Sequence, residues 1–125
     1  MHIGWGAIAL GVMAGLGMAL IAFIALGVTG LTDFGAGAAV LIFLQYSSQL
    51  AAGYVAGRLA AQARVLHGGL AGIIVAAIGA AIGLSSTGTN SNLGLVVLAL
   101  IVAAITGTAG GVLAENRFRQ ADGLP

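Results

Sequence analysis

The side chains that could carry chemistry lie in two groups far apart along the chain. Ser47 and Ser48 lie in the middle of a long apolar run, whereas His2, His67 and Glu115 lie near the ends of such runs. A serine nucleophile needs a base within hydrogen-bonding reach, and neither histidine is placed to reach the serines. The sequence therefore predicts no catalytic dyad, and we expect a protein that is not an enzyme.

A metal or cofactor site has little support in the sequence. The chain contains no cysteine, and two histidines without a characteristic spacing are a weak pattern for metal binding. We expect His67 instead to hydrogen-bond the link before its helix, and Glu115 to pair with Arg119 one helical turn away. The glycines lie within apolar runs and not in a phosphate-binding loop. We therefore predict no metal, no cofactor and, at a net charge of +1, no nucleic-acid partner.

A polar cluster interrupts the second apolar run at Gln45, Ser48 and Gln49. Residues four apart share a helix face, and amides buried in hydrocarbon are costly unless they are paired. The cluster either hydrogen-bonds a neighbouring helix or lines a path for an uncharged solute. Thr106 and Thr108 are expected to bond back to their own helix.

Long uncharged stretches surround these groups. No Asp, Glu, Lys or Arg precedes Asp33, and none occurs between Arg64 and Glu115. The whole chain is 6% charged, whereas soluble domains have about 25% charged residues. A helix of about 20 residues crosses the hydrocarbon of a bilayer. The sequence predicts an all-α integral membrane protein, a four-helix bundle in one domain of residues 1–115 with a polar tail at 116–125; the helices are 3–28, 34–61, 67–84 and 93–115.

The basic residues predict the orientation of these helices. Arg58 and Arg64 lie at the link between the second and third helices, and Arg117 and Arg119 follow the fourth. The other two loops contain no Arg or Lys. Cytoplasmic loops carry an excess of basic residues, so we expect the arginines to act as cytoplasmic anchors and both termini to be cytoplasmic.

Glycines recur at a spacing of four residues on every predicted helix. This spacing puts small residues on one face, and such faces let helix backbones approach closely in a membrane. The faces either pack the four helices together or leave one face free for another subunit. The pairs are Gly11 and Gly15, Gly53 and Gly57, Gly68 and Gly72, Gly79 and Gly83, and Gly107 and Gly111.

The two halves of the chain have similar glycine patterns. Residues 11–15 (GVMAG) match 68–72 (GGLAG), and residues 53–60 match 107–114 in the position of two glycines and a final Leu-Ala. A duplicated two-helix hairpin would produce this match, with the halves related by an axis along the membrane normal. Helices rich in Gly, Ala and Leu would also produce it by shared composition.

Residues 53–58 (GYVAGR) lie near the end of the second predicted helix, and residues 66–72 (LHGGLAG) open the third. In these two segments the middle third of the chain resembles the YrzE-like small four-helix membrane proteins of bacteria. Outside this third only the hydropathy profile is similar. The resemblance implies a multi-pass protein of the bacterial cytoplasmic membrane. The family has no established activity, so it assigns no catalytic residue.

Two functions are consistent with these patterns. The first is a structural or accessory membrane protein without enzymatic activity, which acts through glycine-mediated helix packing. Its partners would be the lipid bilayer and either further copies of itself or other membrane subunits. The alternative is a small channel or facilitator for an uncharged solute, lined by the polar centre of the second helix.

Overall fold

The computed structural model describes residues 3–29, 36–87, 93–121 and 123. Its regular elements are four α-helices, each long and apolar enough to cross a membrane. This confirms the predicted all-helical architecture with four helices of spanning length. His2, Asp33 and Asp122 lie outside the described residues. The helices are α1 (Trp5–Thr29), α2 (Ala36–Leu59), α3 (Arg64–Thr87) and α4 (Leu93–Ala121).

Three helix ends differ from the sequence prediction by three residues or more. Helix α3 begins at Arg64, inside the predicted link, and ends at Thr87, three residues beyond the predicted end. Helix α4 continues to Ala121, through most of the predicted polar tail. Side-chain contacts along the extra turns account for the longer α4. Arg119 Nη2 lies 3.1 Å from Glu115 Oε1 one turn earlier, and the Arg64 guanidinium lies 4.0 Å from the centre of the Phe118 ring.

Helices α2 and α3 form the centre of the bundle. They contact each other, α1 contacts both from one side, and α4 contacts both from the other. Among the described residues, α1 and α4 share no contact. The bundle is therefore a rhombus with α2 and α3 on its short diagonal.

Side chains fill the interface of α1 with α2 and α3. Ile8, Ala52, Ala56, Ala71 and Val75 form a buried apolar cluster there. Larger apolar side chains point outward instead and are widely exposed on the isolated chain. Such a surface is stable against lipid and not against water, which agrees with helices of membrane-spanning length.

Glycines, not large side chains, bring α4 against α2 and α3. A Cβ built on Gly53 would overlap the carbonyl oxygen of Gly107. A Cβ on Gly68 would lie 2.7 Å from the same oxygen, and one on Gly72 would lie 2.8 Å from the Gly107 Cα. No side chain fits at these positions. We call this set of backbone contacts the glycine seam; it comprises Gly53, Gly57, Gly68, Gly72, Gly107, Gly110 and Gly111.

A second close approach joins α1 to α2. A Cβ on Gly11 would lie 2.6 Å from the Ala52 carbonyl oxygen, and a Cβ on Gly15 would lie 2.9 Å from the Ser48 carbonyl oxygen. Both distances are shorter than real Cβ contacts. The small side chains of Ala52 and Ala56 on α2 complete this approach.

Gly79 has the same sequence spacing but a different environment. An added Cβ there would meet only the Gln45 amide nitrogen, at an ordinary 3.5 Å. Gly79 is also exposed, so it does not hold two helices close together. The contacts of Gly83 lie outside what the structure describes.

Each hairpin is closed at the matched glycine of its first helix, but the contact positions on its second helix are one residue apart, since Gly107 and Gly111 match Gly53 and Gly57 in sequence. Gly11 on α1 faces α2 at Ala52 and Ala56, and Gly68 on α3 faces α4 at Gly107 and Gly111. A two-fold axis between the halves would exchange α1 with α3 and α2 with α4. The contact between α2 and α3 would then require an equivalent contact between α4 and α1. The described residues show the first contact and not the second. The similarity is thus within each hairpin and not in how the hairpins pack.

The glycine seam predicts opposite effects for the same small substitution at two glycines. Gly53→Ala should destabilise the fold by about 1–3 kcal/mol, because overpacking forces the backbones apart. Gly79→Ala should be neutral or slightly stabilising, because alanine has the higher helix propensity and room is available. Thermal unfolding of both variants in mild detergent checks this. Equal destabilisation by the two variants would contradict the assignment of the seam.

Candidate functional site

His67 ties three segments together at the end of the bundle that contains the α2–α3 link. It lies in the first turn of α3 and is 2% exposed. The backbone N–H of Gly4, just before α1, donates to His67 Nε2 at 2.9 Å. His67 Nδ1 lies 3.0 Å from the carbonyl oxygen of Ala63, in the link. The predicted hydrogen bond between His67 and the link is therefore present, and a second bond reaches α1.

The two hydrogen bonds of His67 define its tautomer. A backbone N–H can only donate, so Nε2 accepts and carries no proton. The ring proton is then on Nδ1, which donates to the Ala63 carbonyl. Ala63 presents this carbonyl from a left-handed conformation, with φ at 50°, which is uncommon for a residue other than glycine. His67 is thus a neutral structural clamp and its nitrogens are both occupied.

The arginines at this end have different surroundings. Arg64 stacks on Phe118, and Arg119 pairs with Glu115 as predicted. Arg58 and Arg117 instead line one cavity of about 130 Å³ together with Tyr54 and Phe118. The structure does not pair Arg58 with Glu115.

The polar centre of α2 is divided between two interfaces. Ser48 is fully buried and donates to the Gln45 carbonyl oxygen of its own helix at 2.7 Å. Gln49 is 2% exposed, and its Oε1 lies 2.8 Å from the Thr106 hydroxyl of α4. Gln45 is half-buried and lines a groove between α1, α2 and α3 with Leu41 and other side chains.

Thr106 bonds to α2 as well as to its own helix. Its hydroxyl lies 3.0 Å from the Val102 carbonyl oxygen and 3.2 Å from that of Ala103, as the sequence predicts. Since a hydroxyl has a single proton, it donates to one of these acceptors or to Gln49 at a time. Thr108 donates to the Ile105 carbonyl oxygen at 2.8 Å, also within its own helix.

These groups are arranged for packing and positioning. Ser48 is bonded to its own helix in the middle of α2, whereas His67 lies at the end of α3 with both ring nitrogens engaged. In the part of the chain that the structure describes, no three His, Cys, Asp or Glu side chains come close enough to hold a metal ion. What the described polar groups do is join α2 to α4 and α3 to the residues before α1.

Sequence reasoning missed one close glycine contact and the partners of two hydrogen bonds. Gly110 would overlap the Leu50 carbonyl oxygen if it had a Cβ, yet no glycine lies four residues from it. The Gly4 bond to His67 and the Gln49 bond to Thr106 join residues far apart in sequence. Gly110 could have been found as one of two adjacent glycines in an apolar helix. A hydrogen bond from Gln49 to a neighbouring helix was one of the two predicted alternatives, but no local pattern indicated Thr106 as its partner. None indicated Gly4 as the partner of His67.

Comparisons with known proteins give no relative for this chain. No protein-family model matches it, and neither a curated protein nor a solved structure matches it significantly.

The bond between Gln49 and Thr106 predicts a measurable coupling between α2 and α4. Gln49→Leu and Thr106→Val should each destabilise the fold, and together by less than the sum of the two. Side-chain hydrogen bonds between membrane helices have coupling energies of about 0.6 kcal/mol, with a maximum of about 1.7 kcal/mol. A double-mutant cycle on unfolding in mixed micelles measures this. Strict additivity would show that the hydroxyl bonds only to its own helix.

The clamp predicts that the start of α1 depends on His67. His67→Phe retains an aromatic ring but removes both hydrogen bonds, and should cost about 1–3 kcal/mol. The Gly4 amide should then exchange faster with solvent, while amides in the middle of α4 keep their protection. Hydrogen exchange followed by NMR in detergent provides the measurement. Unchanged exchange at Gly4 would show that this bond does not hold the segment.

Proposed function

We propose that this protein is an accessory or structural component of a membrane, without enzymatic activity, and that it associates with copies of itself or with other membrane subunits. Helix packing at small residues would be its mode of action. The polar groups described above are engaged in joining its own helices, which supports a role that depends on contacts and not on chemistry.

The outward face of α1 carries this proposal. Gly6, Gly17 and Gly27 are exposed, and a Cβ added to any of them would have nothing within 4 Å. They alternate with exposed large apolar residues at the three- and four-residue spacing that lets one helix lie along another. We call this face the outer stripe of α1; it comprises Gly6, Leu10, Met13, Gly17, Leu20, Ile24 and Gly27.

The seam glycines are already occupied within the chain, which distinguishes them from the outer stripe. Gly53 and Gly107 contact each other across α2 and α4, and Gly11 contacts α2. These positions serve intramolecular packing. Because lipid tails are as apolar as leucine, a helix face gains by association mainly where small residues permit close contact. The outer stripe has such residues and no partner helix among the described ones.

A facilitator for an uncharged solute has less support. Ser48 is fully buried and Gln49 is 2% exposed, so neither lines an open path in a single chain. Gln45 alone of the three borders a groove. A path for a solute would have to form between copies of the chain, and of these three residues only Gln45 could line it.

The charges support a proposal for the orientation of the helices, and the sequence resemblance supports one for the membrane. We propose the bacterial cytoplasmic membrane, as the resemblance to YrzE-like proteins implies. Gly4, the α2–α3 link and Phe118 lie at one end of the bundle, and the four arginines follow or flank these segments. An excess of basic residues favours the cytoplasmic side for that end.

Native mass spectrometry after purification in mild detergent tests the proposed association. We expect an oligomer or a co-purifying membrane subunit. Gly17→Leu should weaken that association about tenfold or more, as expected for a clash of at least 1.4 kcal/mol, and leave the monomer folded. Ala109→Leu, at an exposed position of α4, is the matched control and should change neither.

A strictly monomeric species with no co-purifying protein would contradict the proposal. If Ala109→Leu abolished the association and Gly17→Leu did not, the protein would still associate, but not through the outer stripe.

A further inference from the structure

Two arginines from different helices line one cavity at the link end of the bundle. Arg58 lies in the last turn of α2, and Arg117 lies near the end of α4. Their side chains border the same cavity of about 130 Å³, with Tyr54 and Phe118 as further walls. Like charges repel each other, so this arrangement is more stable when an anion lies between them.

No anionic side chain supplies that charge among the described residues. The cavity lining contains no Asp or Glu. Glu115, the carboxylate nearest in sequence within the described chain, is paired with Arg119. Neither the Arg58 nor the Arg117 side chain has a hydrogen bond or ion pair with any described residue. Within the described part of the chain, the donors of both guanidinium groups are therefore available to a ligand.

Phe118 holds one wall of the cavity in place. The Arg64 guanidinium lies 4.0 Å from the centre of its ring, and such cation–π contacts stabilise the ring orientation. The ring is thus fixed by a third arginine that does not line the cavity. Tyr54 adds a hydroxyl, which can donate to an anion.

The chemistry of this cavity fits a phosphate group. Guanidinium groups present planar pairs of N–H donors that match phosphate oxygens two at a time. The cavity lies near the C-terminal ends of α2 and α4, two helices long and apolar enough to cross a membrane. In a bilayer, the lipid phosphates lie beyond the hydrocarbon, at the ends of such helices. We propose that Arg58, Arg117 and Tyr54 form a phosphate-binding site between the ends of α2 and α4, with an anionic phospholipid headgroup as its ligand.

The test measures binding of phosphatidylglycerol and phosphatidylcholine to the full chain by native mass spectrometry. We expect phosphatidylglycerol to be retained in preference to phosphatidylcholine. Arg58→Gln and Arg117→Gln should each weaken its binding about tenfold or more, because each removes charge-assisted hydrogen bonds to the phosphate. Tyr54→Phe should weaken it less.

Arg119→Gln is the matched control, because it removes the same charge at the same end but from a residue paired with Glu115. It should change binding less than about twofold, as expected for an exposed ion-paired side chain. Thermal unfolding of each variant establishes that the fold is intact. Equal weakening by Arg119→Gln and Arg58→Gln, or no preference for the anionic lipid, would overturn the proposal.

Inorganic phosphate separates the two possible sources of the phosphate group. If millimolar phosphate leaves lipid retention unchanged, the site recognises a headgroup in the membrane, as proposed. If phosphate displaces the lipid, and the displacement needs both Arg58 and Arg117, the two arginines bind phosphate but the ligand is a soluble phosphate. That result would overturn the assignment of a lipid headgroup.

Discussion

The arrangement of the bundle depends on how closely α4 can approach α2 and α3. At Gly107 the backbone of α4 meets Gly53 from one helix and Gly68 and Gly72 from the other. In lipid, burying large apolar side chains between helices gains little, because the alternative neighbour is a hydrocarbon chain. Dispersion contacts weaken steeply with distance, so the backbones must touch to gain from packing. The absence of side chains at these glycines is what allows that contact.

The sequence predicted the parts of this fold that depend on hydropathy. Four apolar runs, each long enough to cross a membrane, predict the number and approximate positions of the helices. The ends of the helices depend on contacts that hydropathy does not report. Helix α4 passes Glu115 because that residue pairs with Arg119 and because Phe118 receives Arg64. A polar stretch is predicted to fray unless such partners are known.

The glycine pattern likewise predicts what lies on one helix face but not what that face contacts in the fold. A spacing of four residues tells which glycines share a helix face, but it does not tell whether that face meets another helix. Gly79 has the spacing and lies open, whereas Gly110 lacks it and lies against the α2 backbone. The site contacts are harder still. Gly4 with His67 and Gln49 with Thr106 each join positions more than 50 residues apart, and only the packing of the helices brings them together.

The rhombic arrangement has a consequence for the order in which the protein assembles during synthesis. Helices α1, α2 and α3 contact one another and emerge first, so they can pack before the chain is complete. Helix α4 has no contact with α1 in the described residues, and it follows the other three helices in the sequence. An arrangement of α1, α2 and α3 alone would leave the backbone of Gly53 and Gly68 open in the groove that α4 fills. The order of the helices along the chain thus allows α4 to close on a groove that the earlier helices form without it.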